Sequence, residues 1–186
     1  MTIPLLATVI RALWVIIEYP YLRRYKTKPA KDWDKHSAIL WDAAHVCELI
    51  GIILGFIGVS RIQTDNNFIG LFGITLLLTG VSIRWAAIYT LGKYFTGVVT
   101  IKDDHRIVQN GLYKYLRHPA YTGALIGHLG FGLSFSNWLS LAFSSIPYLV
   151  AAFYRMKVEE RALKESFGEE YVRYAKRTKR LIPKVY

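Results

Sequence analysis

The sequence predicts an all-α integral membrane protein of five transmembrane helices. A cytoplasmic cap, formed by the 91–118 loop and the C-terminal helices, covers one end. Three observations carry this. The 186 residues are 53% hydrophobic and 15% aromatic, yet their formal charge is +11. Apolar stretches near the length of about 20 residues needed to cross a bilayer recur five times. Basic residues then fall in alternate loops, as the positive-inside rule requires. A soluble basic protein such as a nucleic-acid binder would not be this apolar, so the charge reads as basic loops at an anionic leaflet, with lipid rather than nucleic acid as partner.

The first stretch runs from Ile3 to about Tyr21 and contains Arg11. It has no basic n-region, so it reads as a span and not a cleavable signal. The second is Ala38–Ser60 and the third Asn67–Tyr89. The fourth, Pro119–Phe135, is short and carries Gly123, Gly127, Gly130 and Gly132, which suits close helix contact. The fifth runs from Asn137 to about Arg155, and Ser136 between the two forces a tight hairpin.

Loop charges set the orientation. Arg23, Arg24, Lys26, Lys28, Lys31 and Lys35 separate spans one and two, and Arg61 stands alone between two and three. Lys93, Lys102, Arg106, Lys114 and Arg117 lie between three and four, none in the hairpin, and ten follow Tyr154. The N-terminus is expected outside and the C-terminal tail in the cytoplasm. In that tail Val158, Ala162 and Leu163 mark a helix, which Gly168 ends before a second begins. No repeat or linker divides 1–186. It reads as one membrane domain, with three helices in 1–90 and a chemical subdomain in 91–186.

What chemistry the chain lacks is also legible. Cys47 is a single cysteine in an apolar run, expected as a buried thiol. No CxxC, HExxH or Cys/His cluster offers a metal site, and no GxGxxG opens a soluble nucleotide fold.

The stretch Tyr115–Gly123, YLRHPAYTG, stands at the mouth of the fourth span. Pro119 suits the first helical position, where its missing N–H costs nothing. The free N–H groups of that first turn, with Arg117 and His118 beside them, could bind an anion. Arg155 and Glu159 are four apart and share a helix face, whereas Glu160 points about 100° away. A tight hairpin places Arg155 at the depth of His118. Arg117, His118, Tyr121, Arg155 and Glu159 should therefore converge, an expensive gathering of charge at the edge of lipid unless it is used. The plain alternatives are an interfacial belt and a surface ion pair.

Two longer stretches now matter: LGKYFTGVVTIKDDHRIVQNGLYKYLRHPAYTG and RMKVEERALKESFGEEYVRYAKRTKRLIP. Together they resemble the isoprenylcysteine carboxyl methyltransferases, and most closely a prokaryotic five-helix member, over about Leu91–Pro183. The resemblance implies an S-adenosylmethionine site built from loop and tail. His105, Arg106, Ile107 and Val108 would hold the nucleoside. Tyr113, His118, Pro119, Ala120 and Tyr121 would surround the remainder, with Glu159 also facing the cofactor. Arg155 would meet the substrate carboxylate, so Arg155 and Glu159 are the expected catalytic pair. The acceptor implied is a C-terminal prenylcysteine or an analogue, and the product a methyl ester. The segment before His105 is shorter than in eukaryotic members, which bears on any cofactor contact from Val98–Thr100.

The chemistry agrees. Methyl transfer from a sulfonium to a carboxylate annihilates two charges, so a dry, shaped site favours it over water. A carboxylate is already ionised at neutral pH, so no general base is needed. Other readings remain: a phospholipid amine N-methyltransferase, with Glu159 or Glu160 as base; a sterol-type membrane reductase; and a non-enzymatic scaffold. Of the other polar residues in spans, Arg84 is expected to snorkel to the cytoplasmic face. Asp42, His45 and Glu48 should line an interhelical contact or polar cavity, His128 should be packed, and Arg11 should pair with an acid such as Glu48.

Overall fold

A computed structural model of the chain describes residues 2–24, 37–63, 67–96, 101 and 104–182. Lys26, Lys28, Lys31, Lys35, Lys102 and the segment Val98–Thr100 lie outside the described residues. Six α-helices follow in order: α1 Ile3–Arg24, α2 Ser37–Ile57, α3 Phe68–Leu91, α4 Pro119–Leu133, α5 Trp138–Phe167 and α6 Glu169–Arg177. Short 3₁₀ turns at Gly92–Tyr94 and Gly111–Lys114 punctuate the connection from α3 to α4. The described residues form no β-strand.

Four helices are long and apolar enough to cross a membrane, over Ile3–Tyr21, Ile39–Ile57, Phe68–Tyr94 and Trp138–Phe167. Their outer faces expose Leu13, Ile16, Ile39, Ile53, Ile57 and Leu71. In water such a surface would be a liability; in lipid it is solvated. The 15-residue α4 rises only about 22 Å and is sheathed by its neighbours.

Small residues explain the sheathing. α3 packs chiefly on α4, α2 on α5, and α4 on α5, while α1 lies more lightly on α3 and α4. A Cβ on Gly80 of α3 would fall 2.2 Å from the backbone nitrogen of Gly127. Only glycine permits that approach. Trp14, Leu77, Ala124, Phe131, Phe135, Tyr148 and Ala152 fill the core around the contact.

At the hairpin Ser136 takes a positive φ of 47°, and Asn137 caps α5 by accepting from the Ser140 N–H at 3.0 Å. The same end is knitted to the α2–α3 loop, where Ile62 N–H donates to the Ser136 carbonyl at 2.8 Å. At the other end α5 does not stop near Arg155. It continues unbroken as the first tail helix until Gly168, whose φ of +49° turns the chain into α6. Arg155 and Glu159 thus sit on one rigid rod, which fixes their relation to the spans.

Candidate functional site

The chain enters α4 through a short parallel pairing with its own tail. Arg117 N–H donates to the Lys179 carbonyl at 2.7 Å, His118 N–H to that of Arg180 at 3.1 Å, and Lys179 N–H to that of Tyr115 at 3.1 Å. The Thr122 hydroxyl donates to the Leu181 carbonyl at 2.8 Å. Pro119 takes the first helical position, as expected, but the N–H groups of Tyr121 and Thr122 both turn to the His118 carbonyl. The corner therefore spends its backbone donors on its own chain, and the anion site expected there is largely consumed.

The side chains gathered at this corner divide into two networks, sorted by adjacent carboxylates of α5. Glu159 accepts from the Tyr121 hydroxyl at 2.6 Å and from Arg155 Nε at 3.3 Å. Arg155, itself buried, also reaches the Ser37 hydroxyl at 3.3 Å, tying α5 to the start of α2. Glu160, on the next face, accepts from Arg117 Nε at 3.0 Å and from Arg180 Nε at 3.0 Å. His118 is buried between the two, with Nε2 3.2 Å from Glu160 and Nδ1 3.6 Å from Glu159. Arg117 faces the Glu160 side and donates also to the carbonyls of Ala175 and Thr178.

A cavity of about 530 Å³ opens on this corner. His105, Arg106, Ile107, Val108, Tyr113, His118, Ala120, Tyr121, Arg155 and Glu159 all contribute to its wall. Pro119 does not; it is fully buried and serves to start α4. In the upper part the His105 ring packs against Tyr94 and Phe167, with centroids 4.8 and 5.7 Å apart. Tyr171 and Tyr174 complete that wall from α6. The Tyr174 hydroxyl donates to the Tyr113 carbonyl at 2.9 Å, and burial pushes its pKa up to about 12. Burial likewise raises the hydroxyls of Tyr113 and Tyr171, so all three stay protonated at neutral pH. The Tyr171 hydroxyl has no hydrogen-bond partner among the described residues although it is buried.

Below the corner the cavity descends between the helices to Arg11, Trp14, Trp41, His128 and Tyr148. Arg11 makes a two-bond ion pair with Glu48, at 2.8 and 2.9 Å, and His128 lies 3.4 Å from the same carboxylate. The expected partner of Arg11 is thus the actual one. Asp42 and His45 line the cavity from α2, while Glu48 sits behind its wall in the ion pair. His128 is packed, stacked on Tyr148 at 4.0 Å. Two expectations fail. Arg84 does not snorkel but lies half-buried at the cavity wall, paired with Glu18 of α1 and donating to the Ala120 carbonyl, because the carboxylate satisfies it within the bundle. Cys47 is half-buried, since α2 is covered chiefly on its α5 side.

Sequence reasoning missed Glu18, and undervalued Glu160. Glu18 had a signal: it lies seven residues, about two turns, from Arg11 on an otherwise apolar helix. Glu160 had none, because its partners come from the α4 corner and from Arg180 in the tail.

Residues 73–165, which include every expected site residue, match the isoprenylcysteine carboxyl methyltransferase (ICMT) family. The chain is also 35% identical to protein-S-isoprenylcysteine O-methyltransferase B of Arabidopsis thaliana, over 80% of this chain and 74% of that one. This chain belongs to the isoprenylcysteine carboxyl methyltransferase family. The human protein-S-isoprenylcysteine O-methyltransferase is 32% identical over 63% of this chain, but only 42% of its own length is covered. The solved structure of the eukaryotic intramembrane Ras methyltransferase ICMT superposes with a TM-score of 0.61 and 22% identity, covering 86% of this chain and 55% of that one. That likeness carries the fold. The family match begins inside α3, so the close α3–α4 packing belongs to the shared unit and the site rests upon it.

Proposed function

We propose that this chain transfers a methyl group from S-adenosylmethionine to the carboxylate of a lipid-linked acceptor, a C-terminal S-isoprenylcysteine or an analogue, giving a methyl ester. The observation that carries the proposal is a cavity that runs on continuously from cap to bundle. It joins the cap, at His105 and Tyr171, to the interior of the helix bundle, at Arg11 and His128, with Arg155 and Glu159 side by side at the junction. A polar donor and a lipid-bearing acceptor can approach that junction from opposite directions.

The residues present fit such a donor. The cavity lies within the size range of small-molecule sites, and the buried Tyr171 hydroxyl has a hydrogen bond to give. In this reading His105, Arg106, Ile107 and Val108 hold the nucleoside, with Tyr113, His118, Ala120, Tyr121 and Glu159 around the remainder. Pro119 acts only by setting the α4 corner. When bound, the donor supplies a methyl on a positively charged sulfur. Arg155 orients the acceptor carboxylate, and its link to Ser37 holds the guanidinium in place. The rings of Tyr113 and Tyr121 offer faces to a cation, an effect of about 1 kcal/mol. Arg155 is buried, so protein rather than water surrounds the group that meets the acceptor carboxylate, which favours a reaction that annihilates charge. No proton need be removed, which distinguishes this reaction from methylation of a lipid amine.

The same reading completes the topology. The buried α4 is the fifth span, the N-terminus faces outward, and the loop and tail form a cytoplasmic cap. The three helices of 1–90 are then the scaffold and 91–186 the catalytic subdomain of one membrane domain. Support comes from the alternation of basic loops and from the cap residues meeting at one end of the bundle.

The test uses detergent-purified protein. Calorimetry should show binding of S-adenosylhomocysteine and none of NADPH. With radiolabelled donor, label should appear as a base-labile ester on a farnesylcysteine analogue. Base-stable label on phosphatidylethanolamine would replace this reading with the amine one.

A further inference from the structure

One face of the α5 rod stays exposed from mid-span to tip. Ile146, Val150, Tyr154, Lys157, Arg161 and Lys164 are all exposed, and at about 100° per residue they fall within an arc of about 80°. Lys157 and Arg161 stand two residues beyond Arg155 and Glu159 respectively. Each is therefore turned about 200° from a side chain that lines the cavity. One helix thus carries Arg155 and Glu159 on its inner side and a row of cations on its outer side.

The chemistry of that face changes along its length in step with a bilayer. From Trp138, the first residue of α5, about 20 residues cross a hydrocarbon core of about 30 Å, which ends near Lys157. Ile146 and Val150, 59% and 55% exposed, meet acyl chains below that level. Tyr154 stands at the boundary, where amphipathic rings collect. Arg161 and Lys164 rise about 6 and 10 Å above Lys157, through and just past a headgroup layer of about 5–8 Å. Among the described residues none of the three cations has an acid within ion-pair distance. Glu160 and Glu165 flank the row, and Glu160 is already held by Arg117 and Arg180.

We propose that Lys157, Arg161 and Lys164 form a docking site for the headgroup of an anionic phospholipid whose acyl chains lie along Val150 and Ile146. A charged row that continues an apolar one gives both halves of a lipid their complement, cations for the phosphate and branched side chains for the tails. An acidic soluble partner would use the upper half alone. The rod holds the three cations within about 10 Å along its axis, so their long side chains converge on one headgroup. Each cation at a membrane surface favours an anionic over a zwitterionic lipid by about fivefold. The site lies outside the cavity and does not rest on the methylation reading.

In the test, the full chain in detergent is titrated with dioleoylphosphatidylglycerol and, separately, with dioleoylphosphatidylcholine, and bound lipid is counted by native mass spectrometry. The first phosphatidylglycerol should bind at least about tenfold more tightly than the first phosphatidylcholine. The variant Lys157→Gln/Arg161→Gln/Lys164→Gln should bring the two within about threefold. Its melting temperature should not change, because all three side chains are exposed. A second triple variant, Arg173→Gln/Lys176→Gln/Lys179→Gln, removes the same charge from exposed positions elsewhere on the cap and should keep the preference. Equal binding of the two lipids by the wild type overturns the proposal. So does an equal loss in both variants, which would assign the preference to net charge alone. Displacement of the bound lipid by inorganic phosphate or polyglutamate at equal concentration would make the row a site for soluble anions, and overturns it as well. Should the α5 triple variant not fold, its three single variants decide, each expected to lose about two- to fivefold.

Discussion

Replacing Glu160 with glutamine keeps the shape of the side chain and deletes the charge that organises the corner. The carboxylate accepts from Arg117 Nε at 3.0 Å, from Arg180 Nε at 3.0 and 3.1 Å, and from Arg180 Nη2, and lies 3.2 Å from His118 Nε2. Glutamine offers one oxygen and turns an NH₂ group toward donors. The side chains of Glu160 and Arg117 are 15% exposed and that of Arg180 24%, so the network is neither fully buried nor on the surface. Breaking a fully buried pair costs about 3–5 kcal/mol, and an exposed one less than about 1 kcal/mol. With this exposure the expected loss is about 2–3 kcal/mol. For a chain of this size that lowers Tm by about 5–10 °C. Thermal unfolding in detergent, followed by tryptophan fluorescence, measures it. A cycle with Arg180→Gln should show coupling of about 1 kcal/mol or more, and trypsin should cut the tail faster in the variant. A Tm within about 1 °C of wild type, with additive single effects, would refute the view that Glu160 fastens the tail to the α4 corner.

Three further outcomes follow from the site. Arg155→Ala should raise the acceptor KM by about 10- to 100-fold, the loss of a charge-assisted contact, with S-adenosylhomocysteine affinity largely kept; Glu159→Ala should weaken donor binding first, and the reverse pattern would exchange the two roles. Tyr171→Phe should weaken donor binding by about three- to tenfold, measured by calorimetry, while leaving Tm unchanged, because its hydroxyl makes no hydrogen bond with the described residues. Gly80→Ala should destabilise by about 1–3 kcal/mol in a detergent melt, because the new methyl meets the α4 backbone at 2.2 Å and neither helix can yield by a side-chain rotation.

The helices were legible because hydropathy and charge are local properties. Ile3–Tyr21, Ile39–Ile57 and Phe68–Tyr94 lie where apolar composition places them, and Gly168 ends α5 where its freedom at positive φ allows. Arg155 and Glu159 share a face because a helical period decides it. Even the Arg11–Glu48 pair could be anticipated, since two opposite charges stranded in apolar spans have few other partners. Tertiary structure decided the rest. It gave Arg84 to Glu18 rather than to the surface, consumed the donors at the α4 corner with the carbonyls of the tail and of His118, and divided Glu159 from Glu160 into separate networks. It also carried one cavity from cap to mid-bundle, where Arg11 lines it while bound to Glu48. Each of these depends on groups distant in sequence, and the free energy of a buried charge is set by what stands opposite it, which no local pattern encodes.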